Sequence, residues 1–189
     1  MDAHTRMAWL QDAMPVPLTE TPRADFGLAV GSEDGLTYAV TTDFSEVDTG
    51  VVRADDHATD LRTEILTVTT AGADSADVVL RAAAGMLAGA ASAFPAQPGT
   101  ILPGLAVRAN LDFADFTVRH GALISPLLWG GPVPQYAEPE EQRMTLMLQL
   151  LLLRKEEYDF AQEHGLGALL QRAAEREVNL YDWSRGEWL

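Results

Sequence analysis

The chain has 189 residues, of which 47% are hydrophobic and 22% charged, which is typical of one globular domain and excludes a disordered chain. Its net charge of −15 repels phosphate backbones, so we expect no nucleic-acid binding. Because cysteine is absent, disulfides, thiolate nucleophiles and thiolate metal sites are excluded. No apolar run suits a signal peptide or a membrane span, and we predict a cytoplasmic protein that does not bind membranes.

The first 60 residues predict a helix, a linker and a hairpin. Residues 3–14 can form a short helix, which prolines end. Over 26–42 apolar residues alternate with others around a turn at Asp34-Gly35, and this pattern predicts a β-hairpin. Residues 43–60 are rich in Asp but lack the spacing of a calcium-binding loop. We interpret them as a solvated connection containing a short strand.

The middle of the chain predicts strands around one long helix. Residues 61–70 are rich in β-branched side chains and predict a strand. Residues 74–94 predict a helix that packs on a sheet. Its expected apolar stripe consists of Val78, Val79, Ala82, Ala83, Met86, Leu87, Ala90 and Phe94. An extended piece at 100–107, a polar-apolar alternation around Leu111, Phe113 and Phe116, and a strand at 122–128 should follow.

The last third begins with a loop rich in Gly and Pro. The apolar run at 146–153 is only about eight residues long, which predicts a strand buried on both faces. We expect it to pair with the strand at 122–128. Two helices should follow, on either side of Gly165. The tail carries Tyr181, Trp183 and Trp188, which we expect to pack on the chain itself rather than on a partner.

The sequence has no recognisable catalytic or cofactor signature. A nucleophile elbow, a dinucleotide-binding glycine motif, a P-loop and an HExxH zinc motif are all missing. The four histidines stand too far apart in the sequence to form a helical ligand pair; they are His4, His57, His120 and His164. The pairs Glu140-Glu141 and Glu156-Glu157 are interpreted as solvated, because adjacent helical side chains diverge by about 100°. We predict no catalytic residue, no cofactor and no metal.

Two neighbouring segments carry a resemblance to a known family. The apolar strand at 146–153 and the following KEEYDFAQEHG at 155–165 resemble the strand and the E-x-[EY]-x-[FL]-A-x-E-x-G helix of bacterial suppressor of fused proteins. The helix rich in small residues, the segment QPGTIL at 97–102 and the strand TEIL at 63–66 support the resemblance, which covers about residues 60–175. The chain departs from the family where it reads Pro98-Gly99-Thr100 without a histidine and Leu153-Arg154-Lys155 without a proline.

The resemblance implies a mixed α/β (α+β) fold, no enzymatic activity and binding to other proteins. The animal relative holds a transcription factor by strand addition, and bacterial members are proposed as immunity proteins that neutralise toxins. We therefore expect a single domain over 1–189 with a mixed, largely antiparallel sheet flanked by helices. Within it we distinguish an N-terminal helix and linker at 1–25, a hairpin region at 26–60, and a core with the tail at 61–189.

The leading hypothesis for function is a non-enzymatic module that binds a basic protein, such as a toxin. Its acidic charge would complement such a partner. The predicted partner-binding side chains are Trp129, Tyr136, Trp183 and Trp188, since Trp and Tyr are favoured at interfaces. The alternatives are a small hydrolase or ligand-binding domain that uses the Asp-rich segment with His57 or His120, and a structural homodimer.

Overall fold

The computed structural model describes residues 1–22, 24–90 and 94–189. The strands of one sheet are β1 Thr19–Glu20, β2 Leu28–Glu33, β3 Leu36–Thr41, β4 Asp60–Thr69, β5 Ile101–Leu102, β6 His120–Ile124, β7 Gln135–Glu138 and β8 Arg143–Leu153. The helices are α1 Ala3–Ala13, α2 Ala73–Ala90, α3 Leu105–Arg108, α4 Lys155–His164 and α5 Leu166–Glu175. The predicted α+β fold, with a mixed and largely antiparallel sheet, is confirmed.

The apolar strand β8 lies in the middle of the sheet, whose order is β1-β2-β3-β4-β8-β6-β5. On one side β8 pairs in parallel with β4. On its other side it pairs antiparallel with β6 along its second half and with β7 along its first half. The predicted pairing of the two apolar runs is therefore confirmed. Other layers of the protein cover both faces of this strand, which explains the nearly unbroken apolar run.

Alternate side chains of β8 face two different layers, as the period of two in a strand requires. Leu148, Leu150 and Leu152 join the core cluster that α2 covers. Met147 packs with Leu10 and Met14 at α1. On that same face Leu151 and Leu153 pack against α4 and α5. The sheet is thus covered by α2 on one face and by α1, α4 and α5 on the other.

The predicted hairpin is formed by β2 and β3. Glu33 pairs with Leu36, so the loop consists of Asp34 and Gly35 alone. Both loop residues have positive φ, 51° and 78°, as a tight hairpin turn of the primed type requires. The Asp-rich connection that follows holds a 3₁₀ turn at Phe44–Glu46 and a single bridge between Val52 and Asp60, so the short strand predicted there does not form. The prediction of a solvated segment holds for residues 50–59 but is wrong for Asp43, Phe44, Ser45 and Thr49, which are buried.

The long helix is present as α2, but the prediction of its apolar stripe was partly wrong. Val78 is 43% exposed and Phe94 is 37% exposed. The buried side chains are Ala76, Val79, Leu80, Ala83, Ala84 and Leu87. Alanines occur on every side of this helix, so its apolar residues do not define one face clearly. The buried face predicted from hydrophobicity was therefore displaced by about one residue. Residues 91–93 of the predicted helix lie outside the described part of the chain.

The region after α2 departs most from the sequence prediction. The extended piece is limited to β5, because Gly104 turns the chain with a φ of 69° into α3. The alternating Leu111, Phe113 and Phe116 form no strand among the described residues. Leu111 and Phe116 pack on the core cluster beneath α2, whereas Phe113 is exposed. The strand predicted to reach residue 128 ends at Ile124, two residues before Pro126, which has no backbone donor for a ladder.

The remaining predicted helices are confirmed. The helix predicted at 3–14 is α1, which ends at Ala13, and α4 and α5 lie on either side of Gly165, whose φ of 88° is readily adopted by glycine. His164 ends α4 and stacks on Phe160 with ring centroids 4.4 Å apart. Among the described residues, no helix combines the length and apolarity needed to cross a membrane.

Candidate partner-binding surface

An aromatic pair lies where α1 meets β7. The rings of Trp9 and Tyr136 have centroids 6.5 Å apart and are tilted by 59°, a geometry that aromatic pairs favour. Both side chains are half-buried. Tyr136 had been predicted as a binding residue, whereas Trp9 had not. The available signal was a large aromatic residue beside Leu10 in the predicted helix.

Trp129 contacts the same helix one turn further on. Its indole Nε1 donates a hydrogen bond to the backbone carbonyl of Ala13 at 2.9 Å. The loop that carries it is tied to the sheet, because the side-chain oxygen of Gln149 accepts a hydrogen bond from Leu127 N at 2.8 Å. Trp9, Trp129 and Tyr136 therefore form one surface on the α1 side of the sheet. We call it the aromatic surface.

The other two predicted binding residues lie elsewhere. Trp183 is 1% exposed and belongs to the core cluster beneath α2. Its ring meets Phe116 edge to face at 6.1 Å. Trp188 is half-buried against the cluster of α4 and α5, and its Nε1 donates a hydrogen bond to Glu157 at 2.5 Å. The expected packing of the tail on the chain itself is thus observed, and the structure does not bring Trp183 or Trp188 to the aromatic surface.

Helix α1 is positioned by a buried arginine, Arg6, which is 4% exposed. Its guanidinium donates to the backbone carbonyl of Thr42 and, at 2.9 Å, to Glu46. It also lies 3.8 Å from Glu64, which is fully buried in β4. Burial raises the pKa of Glu64 to about 7, although hydrogen bonds from neighbouring donors and the charge of Arg6 oppose the rise. The contacts of Arg6 therefore fix α1, the helix that carries Trp9, against the sheet.

Exposed acidic side chains lie close in sequence to Trp9 and Tyr136. Asp12 is exposed one turn after Trp9 on α1, and Glu140 and Glu141 are exposed directly after β7. They contribute to the net charge of −15. A rim of exposed charge around half-buried aromatic rings is typical of protein interfaces.

The structure does not bring the candidate catalytic residues together. His57 lies in an exposed turn, with a positive φ of 52°. His120 begins β6 and stacks on Tyr158 with ring centroids 4.1 Å apart, and its Nδ1 accepts a hydrogen bond from Gly104 N at 3.1 Å. In the described ranges, no group of at least three His, Asp or Glu side chains could hold a metal ion.

The interpretation of Glu157 as a solvated residue was wrong. It is 1% exposed, and it accepts hydrogen bonds from Arg154 N, Arg185 and Trp188. As the third residue of α4, it reaches back to the backbone donor that precedes the helix. The sequence signal was therefore a helix-capping position rather than a charged face.

Comparison with known proteins identifies the family of this chain. A sequence profile described as suppressor of fused protein (SUFU) matches residues 25–186. The chain belongs to the suppressor of fused family. The resemblance seen at the central strand and its following helix is thereby confirmed. A search of curated protein sequences found no significant match.

Two solved structures of the suppressor of fused family share the fold. A homolog from Neisseria gonorrhoeae matches with a TM-score of 0.68 and 15% identity, over 99% of this chain and 97% of the other. The protein in a Sufu–Fu complex matches with a TM-score of 0.64 and 8% identity, over 98% of this chain and 91% of that one. Identities this low establish the common fold, and the architecture extends over nearly the whole of each chain.

Proposed function

We propose that this suppressor of fused domain is a non-enzymatic protein-binding module whose partner contacts the aromatic surface of Trp9, Trp129 and Tyr136. The observation that carries the proposal is the tilted Trp9–Tyr136 pair, half-buried at the junction of α1 and β7. Family membership supports it, since a relative with the same fold forms a complex with Fu. Interface energy concentrates in such aromatic residues.

The partner that this chemistry fits is a basic protein. Long-range attraction between a basic protein and a chain of charge −15 speeds encounter, while the rings supply apolar contact. A toxin neutralised in the cytoplasm fits these requirements, and the protein would then act as an immunity protein by covering the toxin's functional surface. This role rests on the charge and on the family's bacterial members.

Binding to the purified product of the neighbouring gene tests the proposal. Calorimetry with the full chain should show that Trp9→Ala and Tyr136→Ala each weaken affinity at least about tenfold, as interface aromatics commonly do. Phe113→Ala is the matched control, because Phe113 is 42% exposed and lies near the start of β6, at the opposite end of β8 from β7. Co-expression should protect cells from the toxin. Absence of both binding and protection would overturn the immunity role.

A further inference from the structure

An apolar groove of about 320 Å³ lies between the loop that follows β6 and the end of α5 with the tail after it. We call it the Leu127 groove. The residues that line it include Leu127, Leu170, Ala173, Val178, Leu180 and Tyr181. Leu127 is 48% exposed and stands beside apolar side chains that are themselves only half-buried. Contiguous apolar surface of this kind, unlike a single exposed leucine, marks an interaction site.

Hydrogen bonds to the sheet fix two walls of the groove. On the loop side, Leu127 N donates to the side-chain oxygen of the fully buried Gln149 at 2.8 Å. On the tail side, Thr70 N at the end of β4 donates to the carbonyl of Tyr181 at 3.1 Å. The groove is therefore already formed in the free protein, which lowers the entropic cost of binding.

The groove adjoins the aromatic surface. Leu127 and Trp129 lie two residues apart on one loop, so their Cα atoms are at most about 7 Å apart. Tyr181 packs both on the cluster that includes Trp129 and on the cluster that includes Leu170. A partner that covers Trp129 can therefore also reach the groove.

An acidic side chain lies beside the lining residues of the groove. Glu177 immediately precedes Val178, and its backbone N donates to the carbonyl of Ala174 at 3.2 Å. Its side chain is exposed, and no described residue pairs with its carboxylate.

The two arginines nearest in sequence to this carboxylate have other partners. The guanidinium of Arg172 lies 5.3 Å from the centre of the Phe160 ring. Arg176 donates to the backbone carbonyl of Trp188. The groove thus combines an apolar lining with an unpaired negative charge beside it, in a protein of net charge −15. This combination is complementary to an apolar side chain in a basic segment.

We infer that the Leu127 groove receives a leucine side chain from the basic protein partner, and that a lysine or arginine next to this leucine contacts Glu177. Removal of the leucine from water supplies affinity, and the cation supplies selectivity for a basic segment. The volume is near the lower limit of about 300 Å³ for ligand pockets, which suits one side chain rather than a larger ligand. The inference rests on the proposed function and adds a second contact with the same partner.

The test titrates the full chain, labelled with ¹⁵N, with the peptide Nα-acetyl-Lys-Leu-Lys amide at low ionic strength. Saturable shifts are expected at the amides of Leu127 and Val178. One control peptide has serine in place of leucine, and another has glutamates in place of both lysines. Each should bind at least about tenfold more weakly, because it lacks the anchor or reverses the charge. Equal binding of either control peptide would overturn the inference.

Variants of the lining test where the peptide binds. Leu127→Ala removes the exposed wall and should weaken peptide binding roughly tenfold. Ala174→Gln fills the groove from an exposed position on α5 and should weaken it as much. Val107→Ala is the matched control, because Val107 is 64% exposed and lies in α3, on the α2 face of the sheet. Unchanged affinity in both groove variants would contradict the site.

The contact with Glu177 has its own matched pair of variants. Glu177→Gln should weaken peptide binding about threefold, as loss of an exposed ion pair does. Glu163→Gln changes the net charge equally, but this side chain is 79% exposed and precedes α5, whose length of about 15 Å separates it from Glu177. Equal effects of the two variants would overturn the contact with Glu177.

Further outcomes separate this inference from other occupants and from the proposed function. A dimer of the free chain that Leu127→Ala dissociates in sedimentation would overturn the inference, because a second copy would then fill the groove. If the natural partner needs Trp9 and Tyr136 but the peptide does not bind, the function stands and the groove is wrong. If the peptide binds the groove but partner affinity is insensitive to Trp9 and Tyr136, the groove stands and the proposed aromatic interface is wrong.

Discussion

Arg185 in the C-terminal tail forms a buried, two-pronged ion pair with Glu157 at the start of α4. Its Nε donates to Glu157 Oε1 at 2.8 Å, and its Nη2 donates to Glu157 Oε2 at 2.5 Å. The same guanidinium also donates to the carbonyl of Leu152 at 2.7 Å. Arg185 is 6% exposed. One side chain therefore joins the tail, the central strand and the first turn of α4.

We expect Glu157→Gln to lower the free energy of unfolding by about 3 kcal/mol, because it leaves the buried guanidinium of Arg185 without its counter-charge. The neighbouring Glu156→Gln is the matched control. Its side chain is 52% exposed, so we expect a change within about 0.5 kcal/mol. Denaturant unfolding of both variants measures the difference. Equal losses would show that the pair with Arg185 adds no stability beyond a surface charge.

The pH dependence of stability should contain a contribution from Glu64. Burial raises its pKa from 4.5 to about 7, so between these values the folded state holds a proton that the unfolded state has released. Stability from this group therefore falls as pH rises through that window, by roughly 3 kcal/mol in total. Unfolding of the wild type and of Glu64→Gln between pH 4 and 8 measures it, as the difference between the two curves.

The control for Glu64 is a carboxyl group with the opposite shift. Hydrogen bonds from Thr59 and Ala58 lower the pKa of Asp56 to about 2. Its stabilising effect is present above its ordinary pKa of 3.8 and is lost only as pH falls below that value. Asp56→Asn should therefore leave the slope between pH 5 and 7 unchanged. A slope that persists in Glu64→Gln would assign it to other groups.

His120 should titrate below the ordinary value of 6.5, because burial of its ring lowers its pKa. The folded state favours the neutral ring, so this residue's contribution to stability declines as pH falls below 6.5. NMR titration of the ring protons measures the pKa directly. Replacing the stacked ring in Tyr158→Leu should move it towards 6.5. Phe160→Leu, which removes the ring stacked on His164, should leave it unchanged.

Local patterns predicted the elements whose signals lie within a few residues. The Asp34-Gly35 turn and the apolar run of β8 are examples, because turn geometry and burial on both faces impose particular residue types. Residues whose roles depend on distant contacts escaped prediction. Glu157 reads as a surface charge until Arg185 is placed beside it, although the two are 28 residues apart in sequence.

The aromatic surface, too, depends on contacts between residues that are distant in sequence. Trp129 and Tyr136 could be proposed from residue type alone. Residue type does not tell a surface aromatic side chain from a buried one. Only the packing separates them from Trp183, which lies in the core with 1% exposure. Trp9 was missed because its contact with Tyr136 joins α1 to a strand 127 positions later in the sequence. Long-range pairing of this kind leaves no periodic signal.

Two glycines should respond in opposite ways to alanine, because one is crowded by backbone and the other is not. A Cβ on Gly31 in β2 would lie 2.4 Å from the carbonyl oxygen of Pro17 and 2.6 Å from a methyl of Val16, so the chain after α1 would have to move. We expect Gly31→Ala to lower the free energy of unfolding by about 1–3 kcal/mol, as overpacking does.

A Cβ on Gly85 in α2 meets nothing within 4 Å. Gly85→Ala should add about 0.5–1 kcal/mol by favouring the helix. Thermal and denaturant unfolding of both variants compares the effects, and a neutral Gly31→Ala would contradict the close approach of β2 to residues 16–17.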